Sequence, residues 1–216
     1  MARKPSGPLP EGFQYLPDFV AQDEERALLQ HMPEASFREV RMRGQVALRR
    51  AAHYGWDYGY ESWEISPAAP APGWLLPLRE RAAGLIGVEP QALEEVLVTE
   101  YPPGAGIGWH RDAPMFGPAV VGVSLGSAAK LRFRRAGETS AAVVEPRSAY
   151  VLDGPARKQW QHSIPGGKAL RYSITFRTLL PPSAAPGGGG SQATRARSSA
   201  RRRRGEGGPT AARRCH

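Results

Sequence analysis

Residues 171–177 read Arg-Tyr-Ser-Ile-Thr-Phe-Arg, a strict alternation of polar and apolar positions rich in aromatic and β-branched side chains. That pattern predicts a β-strand. Side chains two apart share a face. Tyr172, Ile174 and Phe176 therefore point one way, and Arg171, Ser173, Thr175 and Arg177 the other. Further strands are predicted at about 95–101, 119–125, 130–135, 142–145 and 148–152, and the last strand extends over 169–178. Helical spacing is confined to the first half. One helix is predicted from Asp23 to Met32, burying Leu28 and Leu29. A second is predicted from Leu76 to Ile86, where Pro77 is tolerated in the first turn. The Pro-rich stretch Ser66 to Gly73 reads as a loop. Many short strands separated by Gly and Pro turns indicate an α+β chain with a double-sheet jelly roll at its centre and flanking N-terminal helices.

Composition divides the chain in two. Residues 1–180 hold 21 basic and 19 acidic residues, while 181–216 hold eight Arg and one acid. The net charge of +9 thus splits into about +2 and about +7. Residues 181–216 contain no large apolar side chain, cannot bury a core and are expected to be a disordered basic tail after one catalytic domain over 1–180. A run such as Arg201-Arg202-Arg203-Arg204 suits nucleic acid through counterion release, and equally suits a solvated low-complexity extension. Cys215 is the only cysteine, which excludes an intrachain disulfide and a thiolate metal site. The start of the chain lacks the apolar core of a signal peptide, and no stretch is long enough to span a membrane. A cytoplasmic monomer is the expected form. The glycines at 104, 106 and 108 precede Trp-His rather than a helix opening, so a dinucleotide loop is not indicated.

The candidate chemistry sits in Gly108-Trp109-His110-Arg111-Asp112 and in Trp160-Gln161-His162-Ser163. Two imidazoles and one carboxylate form the facial triad of non-haem Fe(II), which leaves positions open for O2 and an organic co-substrate. Alone the signal is weak. His110 reads as well as a surface or capping residue, and His162 as a polar residue before the turn Ile164-Pro165-Gly166-Gly167. The polar face of 171–177 adds weight. An ordinary solvated strand face is the commoner case. Arg171 and Arg177, however, could hold an anion at each end, because a planar guanidinium pairs bidentately with carboxylate.

Six motifs occur in the order seen in the AlkB-type Fe(II)/2-oxoglutarate dioxygenases. They are Thr99-Glu100-Tyr101-Pro102-Pro103-Gly104, Trp109-His110-Arg111-Asp112, Val123-Ser124-Leu125-Gly126, Tyr150 to Arg157, Trp160-Gln161-His162 and Arg171 to Arg177. Over roughly residues 10–180 the chain resembles that family. The resemblance implies a double-stranded β-helix (jelly-roll) core. It implies His110, Asp112 and His162 as metal ligands, and Tyr101, Arg171 and Arg177 as the co-substrate clamp, one Arg for each carboxylate. Thr99 and Ser173 stand where the family usually has Asn, and are expected to keep a shorter hydrogen-bonding role. Fe(II), 2-oxoglutarate and O2 are the implied cofactor and co-substrates. The implied reaction is oxidative dealkylation of N-alkylated nucleobases in DNA or RNA, releasing succinate and an aldehyde.

Nucleobase-demethylating members often carry an acid soon after the iron aspartate. Here Asp112 is followed by Ala113-Pro114-Met115-Phe116, which favours an alternative substrate, a protein or small molecule. A non-catalytic nucleic-acid-binding module is a third reading. Tyr54, Trp56, Tyr58 and Tyr60 alternate and would share one face, either as core strand or as a lid that stacks on an extruded base. The resemblance favours the lid, because family members carry a similar aromatic-glycine run there. Arg49 and Arg50 would suit phosphate contacts.

Overall fold

The alternating C-terminal segment forms the strand Arg171–Leu179 at the centre of a seven-stranded sheet. A computed structural model describes residues 7–42, 44–59 and 64–180, all within one unit, Met1–Ala185. Expectations for Tyr60 and for the basic tail at 181–216 lie outside the described residues. In chain order the strands are β1 (Phe13–Leu16), β2 (Arg38–Met42), β3 (Gln45–Tyr54), β4 (Trp56–Tyr58), β5 (Ile65–Pro67), β6 (Glu95–Tyr101) and β7 (Ile107–His110). They continue as β8 (Phe116–Leu125), β9 (Ala129–Arg135), β10 (Glu138–Val144), β11 (Ala149–Leu152), β12 (Gln161–Ile164) and β13 (Arg171–Leu179). The helices are α1 (Gln22–His31), α2 (Leu76–Ile86) and the short α3 (Gly154–Lys158).

The major sheet runs β1-β11-β8-β13-β6-β3-β2, and a minor sheet runs β10-β9-β12-β7. Every pairing is antiparallel. Alternation along β13 is realised. Ile174 and Phe176 are fully buried with Leu28, Leu78 and Ala82 of the helices. Burial of each such side chain contributes about 1.5–3 kcal/mol. The opposite face of the major sheet packs on the minor sheet through Val120, Tyr150 and Leu152 on one side and Leu131, Phe133 and Ile164 on the other. These two stacked antiparallel sheets are the jelly-roll core, with α1 and α2 covering the outside of the larger one.

The second helix has the expected bounds, and Gly87 ends it at φ +67°, a left-handed conformation that favours Gly. Strands β1, β2 and most of β3 carry no strong alternation and lie outside the predicted segments, while β7 and β12 are the facing strands that a jelly roll requires for the iron motif and the second His. Their partners hold them in place. The loop expected at 66–73 begins inside β5, which pairs with β4. Gly55, at φ +75°, turns the backbone out of the strand conformation and breaks the alternation of the aromatic run; an added Cβ there would strike the Glu94 carbonyl, so only Gly fits. The aromatic run therefore does not present one continuous face.

Candidate metal centre and co-substrate pocket

Strands β7 and β12 are neighbours, and their register sets His110 opposite His162. The two imidazole centroids stand 4.2 Å apart. Asp112 follows β7 by two residues, and its Oδ2 lies 3.7 Å from His162 Nε2. His110 Nδ1 is 2.8 Å from the Gly108 carbonyl. A carbonyl only accepts, so Nδ1 carries the proton and the Nε2 lone pair is left for a ligand role. Arg157 donates to the carbonyls of Asp112, Ala113 and Phe116 at 3.0, 2.8 and 3.3 Å, which pins the loop after the carboxylate. Residues fifty apart in sequence thus line one cavity of about 1180 Å³.

The protonation states suit a metal. Burial pushes the His162 imidazole down to about 3, with His110 adding to the effect against Asp112. Burial also lowers His110, opposed by Asp112. Burial alone would raise the Asp112 carboxyl, but Arg177, His162, His110 and Arg157 together hold it well below the usual carboxylate range. At neutral pH the set is two neutral imidazoles and one carboxylate, the protonation state a metal requires. As the side chains stand, no group of three or more His, Cys, Asp or Glu among the described residues is arranged to hold a metal ion. Arg177 Nη2 donates to Asp112 Oδ1 at 2.6 Å. The residue types and their common cavity still fit Fe(II), because the donors are two nitrogens and one oxygen with room beside them.

A pH dependence follows. A depressed imidazole pKa means the folded state resists a proton that the unfolded chain accepts near 6.5. Stability is full above that value and falls as pH drops from about 6.5 toward 3; Asp112 adds a further loss below its ordinary 3.8. Denaturant midpoints of the metal-free protein between pH 8 and 4 are expected to fall with pH, and less steeply in His162→Gln. Parallel curves would remove the buried imidazole as the cause.

The candidate co-substrate residues lie on one face of the major sheet. Register aligns Arg171 with Tyr101 and Ser173 with Thr99, and Ser173 also with Ser124. Tyr101, Thr99, Ser173 and Arg177 line the cavity. Arg171 is 3% exposed, its guanidinium lies 5.1 Å from the Tyr101 ring centre, and its Nε donates to Ser124 Oγ at 3.1 Å. Its Nη1 and Nη2 are buried with no hydrogen-bond partner. Buried charges are normally paired, so this unfilled fork fits a carboxylate. Burial pushes the neighbouring Tyr150 phenol up to about 12, which keeps it an O–H donor on the cavity wall. Arg177 differs from the symmetric clamp expected. Its Nη1 bonds the fully buried Glu95 at 3.2 and 3.3 Å while Nη2 bonds Asp112.

The substrate candidates separate by face. Arg49 and Tyr58 line the cavity. Tyr58 meets Phe116 edge-on at 5.9 Å, and Phe116 lies 4.6 Å under Arg177. Arg50 and Tyr54 lie on the other face of β3, because each is an odd number of positions from Arg49. Arg50 forms two bonds to Glu100, at 2.9 and 3.0 Å, and Tyr54 belongs to the core beneath the helices. Trp56 is half-buried and does not line the cavity. Sequence reasoning missed Glu95, Ser124, Phe116 and the pinning role of Arg157. For Glu95 the available signal was an acid opening a strongly apolar strand.

The family model described as "2OG-Fe(II) oxygenase superfamily" matches residues 12–177. A tRNA (carboxymethyluridine(34)-5-O)-methyltransferase alkbh8 from Xenopus tropicalis is 28% identical over 164 residues, 72% of this chain and 25% of that protein. A probable RNA/DNA demethylase ALKBH6 from Danio rerio is 34% identical over 121 residues, 56% of this chain and 49% of that one. This chain therefore spans half or less of either relative. Among solved structures, OsALKBH1 aligns with a TM-score of 0.64 at 15% identity, covering 80% of this chain and 99% of that one. A Pseudomonas putida prolyl-4-hydroxylase aligns at 0.57 and 17%, covering 78% and 93%. Both likenesses are of fold. Among the described residues, no helix is long and apolar enough to cross a membrane.

Proposed function

Because the chain belongs to the 2OG-Fe(II) oxygenase superfamily, we propose that it removes N-alkyl groups oxidatively from nucleobases of DNA or RNA. It is a 2-oxoglutarate-dependent dioxygenase, with Fe(II) as cofactor and 2-oxoglutarate and O2 as co-substrates. His110, Asp112 and His162 would hold the iron. Arg171, with Tyr101 and Ser124 beside it, would take the far carboxylate of 2-oxoglutarate, and Thr99 and Ser173 would supply polar contacts along its length. Bound Fe(II), 2-oxoglutarate and O2 supply the oxidising chemistry: the diacid loses CO2 to become succinate and the alkyl carbon gains a hydroxyl. Arg177 holds Asp112 ionised and oriented. Tyr58, Phe116 and Arg49 offer flat and cationic surfaces for a base and its phosphate.

The observation that carries this reading is one cavity of about 1180 Å³ with the three candidate metal ligands on its wall and an unfilled, buried guanidinium against Tyr101. Typical small-molecule sites measure about 300–1,000 Å³, so a diacid leaves space for a second, base-sized guest. The frog and zebrafish relatives are named for tRNA and for RNA/DNA, which supports nucleic acid as substrate. A protein or small-molecule substrate is the second reading, favoured by Ala113-Pro114 lining the cavity in place of an acid. The test is aerobic incubation with Fe(II), 2-oxoglutarate and a panel of N-methylated oligonucleotides, methylated peptides and free nucleosides. Formaldehyde from an oligonucleotide is the expected result. Formaldehyde from peptides alone would establish the second reading instead.

A further inference from the structure

The outer face of the minor sheet carries charge that the proposed chemistry does not use. Register puts Arg134 beside Gln161 and Arg132 beside Ser163, on the face opposite Phe133 and His162. Lys130 shares that face by alternation. Trp109 joins it from β7, since its neighbour His110 points inward. The Arg134 and Arg132 guanidiniums lie 4.5 and 4.9 Å from the Trp109 ring centre. Their Nε atoms donate to Gln161 at 2.8 Å and Ser163 at 3.0 Å, and neither bond uses the Nη donors. None of Lys130, Arg132 and Arg134 pairs with a carboxylate among the described residues. Across the hairpin the facing positions are Val143, Ala141 and Thr139, none of them acidic.

We infer that this face grips the phosphodiester backbone of a single-stranded nucleic acid whose next base enters the cavity. The inference rests on the dealkylase reading of the site. Same-face residues on a strand stand about 6.6–6.8 Å apart, a step close to that between successive phosphates of an extended strand. The row also meets the cavity, because Trp109, which Arg132 and Arg134 both approach, lines it. Stacking on Trp109 holds the guanidinium planes in one orientation. Regular spacing that leads into the catalytic cavity distinguishes a strand from a diffuse anionic surface.

The test is fluorescence anisotropy of the full chain with labelled, unmodified 15-nucleotide oligo(dT) and oligo(U) over a NaCl series. The parent is compared with Arg132→Gln/Arg134→Gln, and the basic tail is present in both. Loss of two phosphate contacts is expected to flatten the slope of log K against log salt by about 1.4 and to weaken binding on the order of tenfold at 0.15 M salt. If the double variant melts early, Lys130→Gln alone is expected to flatten the slope by about 0.7. Unchanged slope and affinity would overturn the inference. So would loss of binding to phosphatidylserine vesicles with oligonucleotide affinity intact. A flattened slope with no dealkylation of any nucleobase would keep this surface and reject the dealkylase reading. Dealkylation with an unchanged slope would do the reverse.

Discussion

Asp112→Ala is expected to abolish 2-oxoglutarate-dependent turnover, by about three orders of magnitude or more. Among the described residues that line the cavity Asp112 is the one carboxylate, and two neutral imidazoles alone would hold Fe(II) weakly. The fold should survive the change. Arg177 keeps both bonds to Glu95, and the loop stays pinned by Arg157, which bonds backbone carbonyls rather than the carboxylate. Succinate formation and Fe(II) affinity should therefore fall together while the circular dichroism spectrum is retained. Parental turnover in Asp112→Ala would reject the iron assignment.

Arg171→Gln is expected to act with two opposite signs. A buried guanidinium with two unfilled donors destabilises the ligand-free protein, so its removal should raise the denaturant midpoint of the apoprotein. The same change would remove the proposed partner of the co-substrate carboxylate. Truncating one side of a buried, hydrogen-bonded charge pair costs about 2–5 kcal/mol, or about 30-fold and upward in KM for 2-oxoglutarate. Arg171→Lys should recover part of the affinity, since it keeps the charge and loses the fork. A merely structural arginine would lower stability and leave KM unmoved, and that pair of results would sink the assignment.

The legible parts of the sequence were those with local cause. Alternation over 171–177 fixed the two faces of β13, and the structure keeps that division, with Ile174 and Phe176 in the core under the helices and Ser173, Thr175 and Arg177 on the cavity wall. The bounds of α2 followed from its apolar spacing and the glycine after it. The aromatic run shows where local reasoning stopped. Alternation alone would place Tyr54, Trp56 and Tyr58 together, but one left-handed glycine sends Tyr54 to the core and Tyr58 to the cavity. The adjacent arginines Arg49 and Arg50 likewise part, one to the cavity and one to Glu100.

The sequence by itself determined the residue types of the site, the polar face of the last strand and the family motifs in their order, because each is written in contiguous positions or short spacings. Only the tertiary structure decided that His110 and His162 face each other across β7 and β12. It also decided that Arg177 is shared between Asp112 and Glu95 while Arg171 is left with an unfilled fork. The physical reason is that partner choice for a buried charge depends on which strands lie side by side, and strand order is set by burial of apolar faces across the whole domain rather than by any local segment.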